Sequence, residues 1–259
     1  QYPPPLSMPL ASQQKAGRSM MDSIVAHVPA AQWTSLENRC KAMSISPSTC
    51  FYAMLGAVWA MYHTSRRFTM AMMYTRRLPL HPSVQSLVGN FYTVVPLEVD
   101  LSEGRTFDGL LTSLQEQMIQ IHRHRWCSGI DIMQQLSTVF KRTGRSVIPY
   151  VISSAIGSGS NTFIPTSAFS GAVRGTYAPP QVLVDVIVSK GSDGSALIQY
   201  HHHASAFPPG IHQDVVAMLG DLIERLGKNA SAWTSHWPSS SSLSRAASVA
   251  RQNDVQRRV

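Results

Sequence analysis

The sequence predicts an α/β fold in which a mixed β-sheet is flanked by helices. Helical and strand-like patterns alternate along the chain, but without the regular βαβ rhythm of an all-parallel sheet. The run Val182-Leu183-Val184-Asp185-Val186-Ile187-Val188 is apolar on both strand faces except at Asp185, as a central strand is. Residues 106–123 place Phe107, Leu110, Leu111, Leu114, Met118 and Ile121 at helical spacing, one stripe for packing onto such a sheet.

Residues 1–30 are expected to form a Pro-rich connector. In Tyr2-Pro3-Pro4-Pro5-Leu6-Ser7-Met8-Pro9-Leu10 the prolines fix φ and remove amide donors, which favours extended backbone. The domain proper is expected over 31–228. Trp33, Leu36 and Cys40 fall on one side of a first helix. Ser46-Pro47 opens a second, with Ser as N-cap and Pro in the first turn, and that helix is apolar on most sides to about His63. A strand follows over Phe68–Tyr74, a loop over Arg76–Pro82 and a strand over Phe91–Val99, rich in β-branched and aromatic residues. After the amphipathic helix come a short helix over Gly129–Lys141, a strand over Val147–Ala155 and a loop over Gly157–Tyr177. Gln181–Ser189 and Ala196–His201 pair across the Ser192-Asp193-Gly194-Ser195 turn. A helix over Ile211–Leu226 closes the domain, and Ser-rich residues 229–259 are expected to be disordered.

Composition excludes some functions. Hydrophobic residues are 44% and charged residues 14% of the 259, so the chain can bury a core and is not disordered as a whole. The longest apolar run, Phe51–Tyr62, is too short to span a bilayer, and no membrane association is expected. The opening Gln1 and the lack of a signal-like segment suggest a piece of a longer polypeptide. The formal charge of +8 comes from scattered pairs and a tail rather than one stripe, which argues against nucleic acid and for an acidic protein partner or a solvated surface. Cys40, Cys50 and Cys127 have no zinc-type spacing and fit free thiols in a reducing, cytoplasmic compartment.

Asp185 is the most informative residue. A carboxylate in that apolar strand must be hydrogen-bonded, paired or protonated. It suits a general acid or base, and equally a structural Asp bonded to backbone amides at a strand junction. Ser153 and Ser154 end another apolar strand, where hydroxyls line a cleft or bond to backbone; no G-x-S-x-G elbow surrounds them. His122-Arg123-His124 ends a helix, where cationic groups suit the dipole. His201-His202-His203 ends a strand and starts like the HHxxxDG motif of acyltransferases. The Asp-Gly positions hold Phe207-Pro208 or, one residue earlier, Ala206-Phe207. Consecutive strand histidines face opposite ways and make a poor metal site, so both clusters read as solvated or locally bonded.

Several motifs occur in an order that resembles the C-terminal half of a heterocyclization domain of nonribosomal peptide synthetases, a branch of the condensation-domain family. Tyr2–Leu10 is similar to the LPxxPxLPL crossover. Arg77-Leu78-Pro79-Leu80-His81-Pro82 matches RLPLHP, and Gly89-Asn90-Phe91 resembles GDF. His124–Ile130 resembles H-x-x-x-SGV, Pro149–Gly157 resembles PVVFTSxLG, and Pro180–Asp185 matches PQVxxD. Phe207-Pro208-Pro209-Gly210 resembles the FPxG before the last helix. The resemblance implies a chloramphenicol-acetyltransferase-like sandwich lobe that works against an N-terminal lobe. It also implies carrier-protein partners that deliver phosphopantetheine-tethered substrates, with no cofactor bound by the chain itself. The implied reaction is amide formation, then attack by a Cys, Ser or Thr side chain and loss of water to a thiazoline or oxazoline. Asp185 falls on the Asp linked to cyclodehydration and Ser153 on its Thr partner, while Ser154, Gln181 and His124 fall in motifs expected to line the substrate path. The family's DxxxxDxxS motif does not occur in these residues, so the lobe by itself is expected to be inactive. Asn90 stands for the Asp of GDF, Arg76 for an Asn, and Tyr200-His201 or its neighbourhood for a WD pair. The rival expectation is a degenerate, non-catalytic lobe that docks carrier proteins or scaffolds the assembly.

Overall fold

In the computed structural model the described residues are 3–10, 21–63, 65–102, 105–141, 146–156, 179 and 181–236. They form one mixed sheet with helices on both faces. The strands are β1 (Met21–Val28), β2 (Arg67–Thr75), β3 (Tyr92–Asp100), β4 (Tyr150–Ser154), β5 (Val184–Lys190) and β6 (Ala196–His203), in the spatial order β1-β6-β5-β4-β2-β3. The β2–β4 and β4–β5 pairs are parallel, and the other three are antiparallel. The helices are α1 (Ala30–Ala42), α2 (Pro47–Trp59), α3 (Phe107–Arg123), α4 (Gly129–Val139) and α5 (Ile211–Lys228).

One sheet face carries the main core. Met70, Met72, Leu97, Ile152, Val186 and Tyr200 point into it, against α1, α2, α3 and α5. At its centre is α2, buried from Thr49 through Trp59. Ser46 caps this helix by accepting from the Thr49 amide (3.0 Å), and Pro47 fills the first turn, as the sequence predicts. On the opposite face α4 covers a smaller cluster of Ala71, Leu136, Val147, Ile148 and Val151 at the β3 side of the sheet. Val147 and Ile148, expected in the strand, pack there ahead of it, and β4 runs from Tyr150 to Ser154.

Three regions differ from the sequence expectation. The connector expected over 1–30 contributes the edge strand β1, paired antiparallel with β6 from Met21↔His203 to Val28↔Ala196. Its opening is docked as well. The Leu6 amide donates to the Thr69 carbonyl and the Thr69 amide to the Pro4 carbonyl, both at 2.8 Å, which seals Leu6 and Met8 into the core. The tail expected from 229 starts folded: Trp233 is buried, donates to the Leu226 carbonyl at 2.9 Å and meets Phe107 edge-on. The loop expected over 157–177 and the tail beyond 236 lie outside the described residues.

The free side of β3 is closed by side chains. Gln117 of α3 accepts from the Glu98 amide (2.8 Å) and donates to the Glu98 carbonyl (2.9 Å), as a neighbouring strand would. Pro96 in the same strand has no amide to offer.

Behind β6 lies a buried aromatic stack. His202 and His212 are parallel, with ring centroids 4.0 Å apart, and Phe207 meets His212 edge-on at 4.4 Å. Trp59 donates to the Tyr200 hydroxyl (3.3 Å), leaving that hydroxyl free to donate to His212 Nδ1 (3.2 Å). Burial, and next the neighbouring His202, push the His212 imidazole down to about 3. The native state therefore binds fewer protons here than the unfolded chain, whose histidines titrate near 6.5. The stabilisation is complete above that value and is lost as pH falls toward 3. Between pH 7.5 and 5 the loss from this group is expected to be about 2 kcal/mol. Chemical denaturation of the native chain and of His212→Gln at the two pH values measures it: the difference should be smaller in the variant by about that amount, the remainder including His201 and His202, which burial also lowers.

Candidate active site

Strand alternation divides the two most informative strands between the sheet faces. Asp185, 2% exposed, sits on the face opposite the main core. The parallel β4–β5 register places Val151 beside Asp185 and Ser153 beside Ile187, so Ser153 and Asp185 are diagonal neighbours on that face. Such positions are about 7–8 Å apart between Cα atoms, room for a small group to bridge two short side chains. Ser153 is 4% exposed, and its hydroxyl has no hydrogen-bond partner among the described residues. A buried hydroxyl in that state is a ready contact for a bound molecule.

Ser154 faces the other way. Its hydroxyl is 2.8 Å from that of Ser48 and accepts from the Ile156 amide at 3.3 Å. It also bonds the buried Tyr52 phenol, whose pKa burial pushes up despite that bond. Its geometry ties β4 to α2 and does not place it beside Asp185. Gln181 occupies the turn before β5 with φ 64° and an exposed side chain. His124 ends α3 and is exposed near Cys127 and Arg125, lining a cavity of about 210 Å³ by β2 and β3. In sheet order β3 is three strands from β5, so the geometry does not bring His124 to Asp185.

The remaining motifs build the scaffold. Arg77 covers the Phe91 ring at 4.0 Å and donates to the Val84 (2.6 Å) and Leu87 (3.0 Å) carbonyls. Asn90 accepts from the Tyr92 amide at 3.0 Å, a turn contact that the oxygen of an Asp would also make. Ser128 caps α4 through the Ile130 amide (3.2 Å).

Sequence reasoning missed His201 as a member of this face. It lies opposite Asp185 in the β5–β6 register and is half-buried, and burial lowers its pKa, favouring the neutral imidazole. The hairpin itself holds the signal. Once Lys190 pairs with Ala196, counting back five residues sets Asp185 against His201. Among the described residues no three His, Cys, Asp or Glu side chains are grouped to hold a metal ion. No described helix is long and apolar enough to cross a membrane.

The condensation-domain family model matches residues 1–153, more than half of the chain. The chain belongs to the condensation-domain family. It is 31% identical over 195 residues to phenyloxazoline synthase MbtB of Mycobacterium sp. (strain MCS), covering 74% of this chain and 16% of that protein. Pyochelin synthetase PchF of Pseudomonas aeruginosa (strain UCBPP-PA14) is 25% identical over 229 residues, 88% of this chain and 12% of that protein. The chain thus spans less than a fifth of the curated relatives it matches. The EpoB cyclization-docking bidomain from Sorangium cellulosum superposes with a TM-score of 0.79 at 23% identity, over 90% of this chain and 47% of that one. That likeness shows the condensation-domain fold, and with it the sandwich lobe that the sequence motifs imply.

Proposed function

We propose that this condensation-domain lobe is the acceptor-side half of a heterocyclization domain. It joins carrier-tethered aminoacyl substrates and then cyclodehydrates a Cys, Ser or Thr side chain. The observation that carries this reading is a buried carboxylate, Asp185, on the same sheet face as the buried Ser153 hydroxyl, which has no hydrogen-bond partner among the described residues. Relatives named for oxazoline synthesis and for cyclization support it. An N-terminal lobe set against this face would complete a tunnel. Phosphopantetheine arms belong to the carrier proteins and would enter that tunnel as substrate. The formal charge of +8 suits acidic carriers.

In the ring-forming step the side-chain S or O forms a bond to the new amide carbon and gives up its proton, and the carbonyl oxygen becomes a hydroxyl. The C–O bond then breaks, the hydroxyl leaves as water with a second proton, and the nitrogen loses its hydrogen to give C=N. Asp185 carries protons between these atoms, and the Ser153 hydroxyl orients the oxygen that leaves. Mass spectrometry of carrier-bound products from the full synthetase tests this. The expected product is the condensed species less one water. Linear dipeptide alone would refute ring closure, and carrier binding without any condensation would mark a docking lobe.

A further inference from the structure

Asp185, His201 and Ser23 form one row across three neighbouring strands. Asp185 is directly opposite His201 in the antiparallel β5–β6 pair, and His201 is directly opposite Ser23 in the antiparallel β6–β1 pair. Side chains at opposed positions leave the sheet on the same face, with Cβ atoms about 4.5–5.5 Å apart, close enough for an imidazole to reach both neighbours. Exposure rises along the row: Asp185 is 2% exposed, His201 is half-buried and Ser23 is exposed.

The two protons taken from the substrate leave with the water, so the carboxylate ends a turnover as it began; what a buried carboxylate needs is a route by which its starting protonation state is set before substrate arrives. We propose that His201 is the positioning residue for Asp185, holding its carboxyl oxygen on one ring nitrogen and exchanging its proton with solvent through the other, on the Ser23 side. The imidazole accepts a proton on one nitrogen as it releases one from the other, so its own charge is unchanged after each transfer. The role rests on Asp185 being the acid–base group of the proposed reaction. Among the described residues, the titratable side chains on this face nearest His201 are Asp185 on β5 and His203 on β6; β1 brings Ser23 and Val25. Asp22 of β1 pairs with His202 and faces the other way. Burial holds the His201 imidazole below its ordinary value, so it is neutral at neutral pH and able both to donate and to accept.

Two measurements test the role. The first follows the His201 ring by NMR titration in the whole chain, with and without Asp185→Asn. Loss of the carboxylate removes a neighbour that favours the imidazolium, so the midpoint should fall by about one pH unit. A midpoint that does not move overturns the coupling, whatever the enzyme does. The second compares His201→Leu and His201→Gln in the full synthetase. His201→Leu should slow ring closure about 10- to 100-fold with amide formation unchanged. His201→Gln can hold the carboxyl but cannot relay a proton, so it should recover only part of the rate, and that part should no longer follow the titration of an imidazole. Undiminished ring closure in His201→Leu, or an equal loss of both steps in the two variants, overturns the role. If Asp185→Asn leaves ring closure intact while the NMR midpoint still shifts, the proposed function fails and the coupling stands.

Discussion

Asp185→Asn is expected to slow ring closure at least 100-fold in the full synthetase while amide formation continues, so that linear carrier-bound product accumulates. The replacement has nearly the same volume and stays polar, so a site only 2% exposed should hold it without a cavity or an overpacked contact. What it removes is the ability to take up and release a proton. Positioned acid–base groups contribute about 10²- to 10⁴-fold to such steps, which sets the expected size. Amide formation serves as the internal control, because a misfolded lobe would lose both products together. The ratio of linear to cyclised product by mass spectrometry reads the effect directly. An unchanged ratio would make Asp185 a structural carboxylate, the other reading the sequence allowed.

Gly129→Ala should be the most damaging single-methyl change in the scaffold, costing about 3 kcal/mol or more. A Cβ at this position would stand 2.2 Å from the Val94 carbonyl oxygen and 2.3 Å from Thr93 Oγ1. One obstacle is strand backbone, which cannot rotate away as a long side chain would. Either α4 lifts from β3 or the strand bends, and the cluster around Leu136 and Val151 opens in both cases. Gly220→Ala in α5 is the matched control. Its Cβ would meet nothing within 4 Å, so the better helix former should add roughly 0.5–1 kcal/mol. Urea denaturation of the pair measures both, and equal destabilisation would show that contact at Gly129 is not what fixes α4.

Long, strongly patterned elements were legible in the sequence, and elements stabilised from outside were not. The five helices and strands β2 to β6 follow from stripes and apolar runs that need no partner to be seen. Strand β1 has only Ile24, Ala26 and Val28 alternating toward the core, with Asp22 and Ser23 ahead of them, and it exists because β6 offers an open edge. Trp233 is buried for a similar reason, since α3 and the end of α5 supply its contacts. At the site, the apolar setting of Asp185 was visible in one strand. Its neighbour His201 required the hairpin register, and the separation of Ser153 from Ser154 required knowing which face of the sheet carries the main core. His124 belonged to a recognisable motif, yet a motif does not say how many strands lie between its residue and Asp185.

The two adjacent serines of β4 also tie the accuracy of the site to the interior. Ser154 is anchored by Ser48 and Tyr52 at the start of the most deeply buried helix, and Ser153 follows from it by the pleat of the strand. The depth of the Ser153 hydroxyl is thus gauged from the far side of the sheet, and slack introduced at the first turn of α2 should surface as a displaced Ser153 hydroxyl relative to Asp185, with no substitution at either residue.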